Sequence, residues 1–146
     1  MLIVCFNCPL SVCAVILRVL GEGTFGRVYL AREQSTSQLV ALKKVRIKRA
    51  EEGLPKVLMR EIRALESLSG ESHSPLSRHV VQLRAHFAHG SAVVLVLELM
   101  QSDLLAVMRA VDLVGARMHP QAVKACMHMI LTGVSHTERT RSVMPG

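Results

Sequence analysis

The sequence predicts an α+β fold in which strands come first, one helix follows, two more strands come next and helices close the chain. Two kinds of pattern carry this prediction. Five stretches rich in β-branched and other apolar residues are bounded by glycine or polar loops, and they span residues 15–20, 27–33, 39–45, 80–87 and 93–100. Three stretches have helical character, and they span residues 56–68, 103–111 and 120–134. At 146 residues, the chain is long enough to bury a core.

Glycine and turn residues mark the ends of the strands. Gly21, Gly23 and Gly26 separate the first two predicted strands. The last two are joined at His89-Gly90-Ser91, which is typical of a hairpin. We therefore expect the strands of each of these pairs to run antiparallel.

Proline marks the start of two predicted helices, because it is tolerated in the first helical turn. Pro55 precedes the first helix and Pro120 opens the last one. Four apolar residues fall on one face of that last helix, namely Val123, Met127, Ile130 and Val134. Polar residues 69–78 predict a surface loop, and residues 135–146, which lack an apolar pattern, predict a frayed tail.

The composition is that of a globular protein and excludes several classes of function. Half of the residues are apolar and a fifth are charged, and 18 basic residues against 11 acidic ones give a net charge of +7. A basic balance suggests nucleic acid as a partner, but the basic stretch 43–63 has no aromatic residue for stacking on bases, so no nucleic-acid binding is expected. Only two Asp (Asp103 and Asp112) and one Asn (Asn7) occur, which excludes chemistry that needs several of them.

The N-terminal residues 1–16 are mostly apolar and lack the basic start of a signal peptide. A membrane span needs about 20 apolar residues, but Arg18 interrupts the run. We therefore expect an extension that leads into the first strand, with a membrane anchor as the weaker alternative. Cys5 and Cys8 form a C-x-x-C pair, but no second pair follows at zinc-finger spacing, so reduced thiols are expected rather than zinc.

A glycine-rich loop is the first candidate for chemistry. Residues 21–28 have the spacing G-x-G-x-x-G-x-V, in which glycine lets the backbone approach phosphate oxygens closely and adopt a positive φ. In a dinucleotide-binding fold a helix opens at the third glycine, but residues 27–32 are β-rich here. The loop therefore joins two antiparallel strands, and it fits either a phosphate cradle or a plain glycine-rich hairpin.

The next strand carries a small residue and a lysine on one face. Because residues two apart in a strand share a face, Ala41 and Lys43 point to one side, and Leu42 and Lys44 point to the other. An alanine beside a nucleotide base and a lysine that reaches its phosphates make a coherent site. Lys44 is better explained as a solvated surface charge.

The first predicted helix places a carboxylate on its apolar stripe. Leu58, Ile62 and Leu65 follow the i, i+4, i+7 spacing, and Glu61 lies on the same side. A carboxylate that faces a core costs several kcal/mol unless it is paired, and Lys43 is the natural partner. The alternative is a Glu61 at the edge of the stripe that bends out to water.

Together these motifs resemble the N-terminal part of a protein kinase of the cyclin-dependent kinase group, over residues 19–134. The motifs are the glycine loop, Val40-Ala41-Leu42-Lys43, Gly53-Leu54-Pro55 and Arg60-Glu61-Ile62-Arg63-Ala64-Leu65. The chain is most similar to the cell-cycle-related kinase branch of that group. This finer resemblance is carried by the helix, by Val80-Val81-Gln82-Leu83 with His89-Gly90, and by Ser102-Asp103-Leu104.

The resemblance implies a protein-kinase-like small lobe, with a five-stranded antiparallel sheet and one helix, followed by the first helices of the large lobe. The N-terminal extension would span residues 1–16, the small lobe 17–100, the hinge and first large-lobe helices 101–134, and a divergent tail 135–146. The implied cofactor is ATP, with Mg²⁺ in intact relatives.

The resemblance also implies roles for individual residues. Lys43 and Glu61 would form the catalytic pair, Leu97 would be the gatekeeper behind the adenine, and Asp103 would lie near the ribose. The backbone of residues 98–100 would be the hinge that meets the adenine edge. The implied nucleotide-binding residues are Leu20, Gly21, Glu22, Gly23, Thr24, Phe25, Gly26, Val28, Ala41, Lys43, Leu97, Glu98, Met100 and Asp103.

Two kinase motifs do not occur in the sequence. The H-R-D-x-x-x-x-N and D-F-G motifs supply the catalytic Asp and the Mg²⁺ ligands in the family, and residues 135–141 depart from the family pattern after the last helix. We therefore assign no metal ligands, expect a truncated gene product or a fragment, and predict that the chain as given is inactive.

Two functions are consistent with these patterns. In the first, the chain is the ATP-binding part of a Ser/Thr protein kinase, whose intact relatives transfer the ATP γ-phosphate to Ser or Thr of protein substrates. In the second, it is a non-catalytic interaction module that binds a cyclin-like regulator through the helix at 54–68. The resemblance implies a cytoplasmic or nuclear location, or both.

Overall fold

The computed structural model of the chain describes residues 2–5, 13–23, 26–47, 55–70 and 77–143. The chain divides into two compact units. The first unit comprises residues 1–69 and 81–99, and the second comprises residues 70–80 and 100–146.

The first unit is built on a six-stranded antiparallel sheet. Its strands are β1 (Leu2–Cys5), β2 (Cys13–Gly23), β3 (Gly26–Glu33), β4 (Leu39–Arg46), β5 (Leu83–His89) and β6 (Ala92–Glu98). They lie in the order β1-β2-β3-β4-β6-β5, and each neighbouring pair is antiparallel. The expected five-stranded antiparallel sheet is confirmed by β2 to β6.

Strand β1 adds a sixth member in a segment where the sequence pattern predicts only an extension. It pairs with the start of β2, from Leu2↔Ile16 to Cys5↔Cys13. β2 accordingly begins at Cys13, two residues before the predicted strand. The unpaired N–H and C=O groups of a sheet edge readily accept another extended segment, and an uncharged apolar segment does not oppose that pairing.

Hydrophobic side chains are buried on both faces of the sheet. One cluster consists of Ala14, Ala31, Val40, Leu42, Phe87, Val94 and Val96. The opposite face carries Val45, Leu83, Val93 and Leu95, which pack with Leu58 and Ile62 of helix α1 (Lys56–Gly70). Leu83 and Phe87 belong to different clusters although they are four residues apart, because the register shifts between Leu83 and Ala85.

Helix α1 confirms the predicted apolar stripe. Leu58 and Ile62 are buried and Leu65 is partly buried, and complete burial of a side chain of this size contributes roughly 1.5–3 kcal/mol. The helix begins after Pro55, whose carbonyl accepts a hydrogen bond from the Met59 N–H at 3.1 Å. The stripe therefore fixes which side of α1 faces the sheet, and with it the direction of Glu61.

The second unit contains a 3₁₀ turn (Ser77–His79), helix α2 (Leu104–Leu113) and helix α3 (Pro120–Val143). The prediction that the last helix ends near residue 134, before a frayed tail, is wrong because α3 continues to Val143. His136 and Thr140 are buried in this added length, and the Thr140 hydroxyl donates to the His136 carbonyl at 3.1 Å.

Apolar side chains of the second unit remain largely exposed. Helix α2 has no buried residue. On α3, the four residues of the predicted apolar face are 44–53% exposed, and they are Val123, Met127, Ile130 and Val134. Among the described residues, no helix combines the length and the hydrophobicity needed to cross a membrane.

Candidate functional site

An ion pair between β4 and α1 lies at the centre of the candidate site. Lys43 Nζ lies 2.5 Å from Glu61 Oε1, and the two side chains are 25% and 39% exposed. Glu61 therefore does not bend out to water. The pair joins a strand to a helix across 18 positions of sequence, so it also ties α1 to the sheet.

The predicted adenine and phosphate residues of three strands share the face that carries α1. Directly opposed residues of neighbouring antiparallel strands point to the same side, and Val28 is opposite Lys43 while Ala41 is opposite Leu97. Ala41 is buried and Leu97 is half-buried. Lys44, one position along from Lys43, points to the other face, as the strand alternation predicts.

The glycine-rich loop is a hairpin between β2 and β3. Gly21 is paired with Val28 and Gly23 with Gly26 in antiparallel register, which confirms a strand on each side of the loop instead of a helix. Thr24 and Phe25, at the tip of the loop, lie outside the described residues.

An ion pair crosses this hairpin beside the glycines. Glu22 is directly opposite Arg27, and Arg27 Nε lies 2.9 Å from Glu22 Oε1. The hydrogen bond and the charge of Glu22 raise the pKa of the Arg27 guanidinium above its ordinary value, with a smaller contribution from Tyr29. The sequence contains a signal for this pair, because opposite charges flank the loop symmetrically and such cross-strand pairs stabilise hairpins.

The glycines of the hairpin are required for different physical reasons. Gly26 has φ +143°, and a Cβ at this position would lie 2.0 Å from the Lys44 carbonyl oxygen. Only glycine therefore fits the contact between β3 and β4 at this point. Around Gly21 and Gly23, a Cβ would meet no atom within 4 Å. Space is open beside these two residues, where a ligand can approach the backbone.

Leu20 lies next to this hairpin at an irregularity of β2. The register between β2 and β3 shifts between Val19 and Gly21, so Leu20 is the extra residue of a bulge, and its side chain is 39% exposed. A bulge changes the direction in which a side chain points, compared with the regular alternation of side chains between the two faces of a strand. The sequence pattern places Leu20 in the strand but does not show the bulge.

Glu98, predicted in the hinge, makes two hydrogen bonds with the residue that precedes β5. The Glu98 N–H donates to the Gln82 carbonyl at 3.1 Å, and the Gln82 N–H donates to Glu98 Oε1 at 2.8 Å. The side chain of Glu98 therefore anchors the end of β6. No sequence pattern indicates this contact, because Gln82 takes part in both hydrogen bonds through its backbone groups.

Two predicted site residues, Met100 and Asp103, belong to the second unit. Met100 is 54% exposed. Asp103 caps helix α2: its carboxylate oxygen Oδ1 accepts a hydrogen bond from the Ala106 N–H at 2.7 Å. Its predicted position near a ribose stays a prediction.

In the described part of the chain, no group of three or more His, Cys, Asp or Glu residues lies close enough together to hold a metal ion. The candidate site consists of the Lys43–Glu61 pair, the glycine hairpin and the sheet face that carries Val28, Ala41 and Leu97.

Comparison with known proteins identifies the family. A family model described as a protein kinase domain matches residues 14–143. Cyclin-dependent kinase 20 of Rattus norvegicus is 41% identical over 120 residues, which cover 82% of this chain and 32% of the relative. Cell division control protein 2 homolog D of Antirrhinum majus is 38% identical over 122 residues, which cover 83% of this chain and 38% of the relative.

Cyclin-dependent kinase B2-1 of Arabidopsis thaliana is 36% identical over 120 residues, which again cover 82% of this chain and 38% of the relative. The chain thus spans about a third of the length of these curated relatives. The region that the family model matches includes the glycine hairpin, strand β4 with Lys43, and helix α1. The chain belongs to the protein kinase family, and its relatives place it in the cyclin-dependent kinase group.

Proposed function

We propose that this chain is the nucleotide-binding part of a Ser/Thr protein kinase of the cyclin-dependent kinase group. The observation that carries the proposal is the Lys43–Glu61 pair at 2.5 Å, on the sheet face that also presents Val28 and Ala41. A lysine paired with a helix glutamate is the arrangement by which protein kinases hold ATP phosphates.

The residues of this face fit ATP. The open space beside Gly21 and Gly23 allows phosphate oxygens to approach the backbone, and Ala41 is small enough to leave room for a flat base. Lys43 would bind the phosphates, while Glu61 keeps its ammonium group in place. When bound, ATP supplies the phosphoryl group that kinases transfer to Ser or Thr hydroxyls.

The residues of the chain do not fit Mg²⁺ in the same way. Neither the H-R-D-x-x-x-x-N nor the D-F-G motif occurs in the 146 residues. Of the two Asp residues, Asp103 caps helix α2 and Asp112 lies in its last turn. Nothing in this sequence therefore replaces the missing carboxylates, and we expect no phosphoryl transfer by the chain as given.

Calorimetric titration of the 146-residue chain with ATP tests the proposal. We expect weak binding, in the high micromolar range, and no kinase activity on a generic protein substrate. The absence of binding at millimolar ATP would contradict the proposed site. Phosphoryl transfer above background that is lost in Lys43→Ala would contradict the predicted inactivity.

A second function, a non-catalytic module that binds a cyclin-like regulator, is favoured by the outer face of α1. Lys56, Arg60 and Arg63 are exposed there, and the relatives are named for their dependence on cyclin. Co-purification of the chain with candidate cyclins, compared with Arg60→Glu, tests this function. Equal recovery of a cyclin with both forms would contradict binding through α1.

A further inference from the structure

The link between the end of β6 and the segment before β5 departs from regular strand pairing. Glu98 and Gln82 are opposite each other, since Leu97 is paired with Leu83, and in a regular hydrogen-bonded pair they would exchange both of their main-chain bonds. The Glu98 N–H does donate to the Gln82 carbonyl, at 3.1 Å. The Gln82 N–H, however, donates to the side-chain oxygen Oε1 of Glu98, at 2.8 Å. The carboxylate thus takes the place of the Glu98 main-chain carbonyl.

Two features favour this arrangement. A hydrogen bond to a carboxylate is shorter and stronger than one to a neutral carbonyl, so the side chain of Glu98 is the better acceptor. The segment before β5 is also held from its other side, because the Leu83 N–H donates to Oγ of Ser69 on α1 at 3.0 Å. The Gln82 N–H therefore faces β6 and is satisfied there by the carboxylate.

The main-chain carbonyl of Glu98 is consequently left available for a ligand. The N–H and C=O of one strand residue point toward the same neighbouring strand, so this carbonyl lies on the side of β6 where the carboxylate already holds the Gln82 N–H. A carbonyl oxygen accepts hydrogen bonds and donates none. It can therefore accept a bond from the amino group of adenine, whereas guanine presents another carbonyl oxygen at the same position of the purine.

We propose that the Glu98 carboxylate is a positioning residue that gives the nucleotide site its preference for ATP over GTP, because it occupies the Gln82 N–H and keeps the Glu98 carbonyl open to adenine. The inference rests on the proposed function, in which the backbone of residues 98–100 meets the adenine edge, and it adds a role for the side chain. Without the carboxylate, the Gln82 N–H takes the regular acceptor of the pair, which is the same carbonyl. Adenine and Gln82 then compete for one oxygen.

NMR titration of the isotope-labelled full chain with ATP and with GTP tests the inference. We expect the unmodified chain to bind ATP about tenfold or more tightly than GTP. Glu98→Ala should weaken ATP binding about 3- to 10-fold, which is the effect of losing one hydrogen bond, and should leave GTP binding unchanged. Glu98→Gln retains a side-chain oxygen that can accept the Gln82 N–H, so its ATP preference should stay within about twofold of that of the unmodified chain.

Three further measurements separate positioning from a loss of charge or of structure. Tripolyphosphate carries no base and should bind the unmodified chain and Glu98→Ala with affinities within about twofold of each other. Glu66→Ala removes a carboxylate from an exposed position of the same unit and should leave the ATP preference unchanged. In Glu98→Ala, the amide of Gln82 should exchange within about threefold of its original rate, because the main-chain carbonyl replaces the carboxylate as its acceptor.

Four results would overturn the inference while the proposed function stands. They are equal affinity of the unmodified chain for ATP and GTP, an unchanged ATP preference in Glu98→Ala, a preference lost equally in Glu98→Gln or Glu66→Ala, and rapid exchange of the Gln82 amide in Glu98→Ala. Weaker tripolyphosphate binding by Glu98→Ala, to the same extent as ATP, would assign Glu98 a purely structural role. If the unmodified chain binds neither ATP nor tripolyphosphate, the proposed function is wrong and the inference fails with it.

Discussion

At the scale of residues, two adjacent lysines have different surroundings because a strand alternates its sides. Lys43 points to the α1 face and pairs with Glu61, while Lys44 lies on the opposite face, across from Val94 and Arg27. The period of two is enough to predict this difference from the sequence. It also makes Lys44 a natural control for Lys43.

We expect Lys43→Met to weaken ATP binding about 10- to 100-fold, because a hydrogen bond to a charged group contributes roughly 1.5–3 kcal/mol. Lys44→Met should change affinity less than about twofold. Calorimetry on both variants, at equal salt, measures the difference. Similar losses in the two variants would show that only the net positive charge of β4 matters.

The glycine hairpin gives a second contrast between residues. Gly26→Ala forces a Cβ to within 2.0 Å of the Lys44 carbonyl oxygen at a φ of +143°, and we expect a loss of about 2 kcal/mol or more in the free energy of unfolding. Gly23→Ala meets no atom within 4 Å and should cost less than about 1 kcal/mol.

Urea unfolding followed by circular dichroism measures both glycine variants. Gly23→Ala should nonetheless weaken ATP binding, because its methyl group occupies the space open to phosphate. Full ATP affinity in Gly23→Ala would remove the hairpin from the proposed site. Equal stability of the two variants would contradict the contact between Gly26 and β4.

At the scale of elements, the stability of helix α2 depends more on its N-terminal cap than on the packing of its side chains. It has no buried residue, and Asp103 satisfies the Ala106 N–H at its first turn. An exposed ten-residue helix is marginal in water, so the loss of one cap is a large share of its stability.

We expect Asp103→Ala to destabilise α2 by about 1 kcal/mol and to accelerate amide exchange across Leu104–Leu113 about fivefold. Asp112→Ala, in the last turn of the same helix, removes a negative charge from the negative end of the helix dipole and should leave exchange unchanged or slower. Mass spectrometry of exchanged peptides covers both variants. Acceleration by Asp112→Ala as well would mean that any loss of charge destabilises the helix.

The ends of helices and strands could be predicted where apolar residues recur with a regular period. They could not be predicted where a helix is continued by buried polar residues. The stripe of Leu58, Ile62 and Leu65 gives the orientation of α1 and the direction of Glu61. Helix α3 extends past Val134 on the buried polar residues His136 and Thr140, which an apolar pattern does not detect.

The remaining unpredicted features depend on backbone pairing between segments of the chain. These are the edge position of β1, the bulge at Leu20 and the two hydrogen bonds between Glu98 and Gln82. In each of these contacts at least one partner is a backbone N–H or C=O group, which side-chain patterns do not reveal. The Lys43–Glu61 pair, by contrast, could be predicted from the sequence because it depends on two particular side chains.

At the scale of the whole molecule, burial is divided unequally between the two units. Every buried hydrophobic residue among those described lies in the first unit, whereas the buried residues of the second are polar apart from Gly133. Gly133 itself allows close contact with the 3₁₀ turn, because a Cβ there would lie 2.8 Å from the His79 carbonyl oxygen. Hydrophobic burial is the main favourable contribution to folding, so the second unit is expected to open first.

Hydrogen exchange along the chain tests this difference. Strand β6 lies between β4 and β5, and Leu95 in it is fully buried, so amides at 93–99 should exchange only on unfolding of the first unit. On α3, the four side chains of the predicted apolar face remain about half exposed, where full burial of each would contribute roughly 1.5–3 kcal/mol. We expect amides at 123–134 to exchange about 100-fold faster than those at 93–99.

Measurements at several dilutions control for self-association through the exposed apolar residues. Equal protection of both segments in a monodisperse monomer would show that α3 is as stable as the sheet and that its apolar face needs no partner.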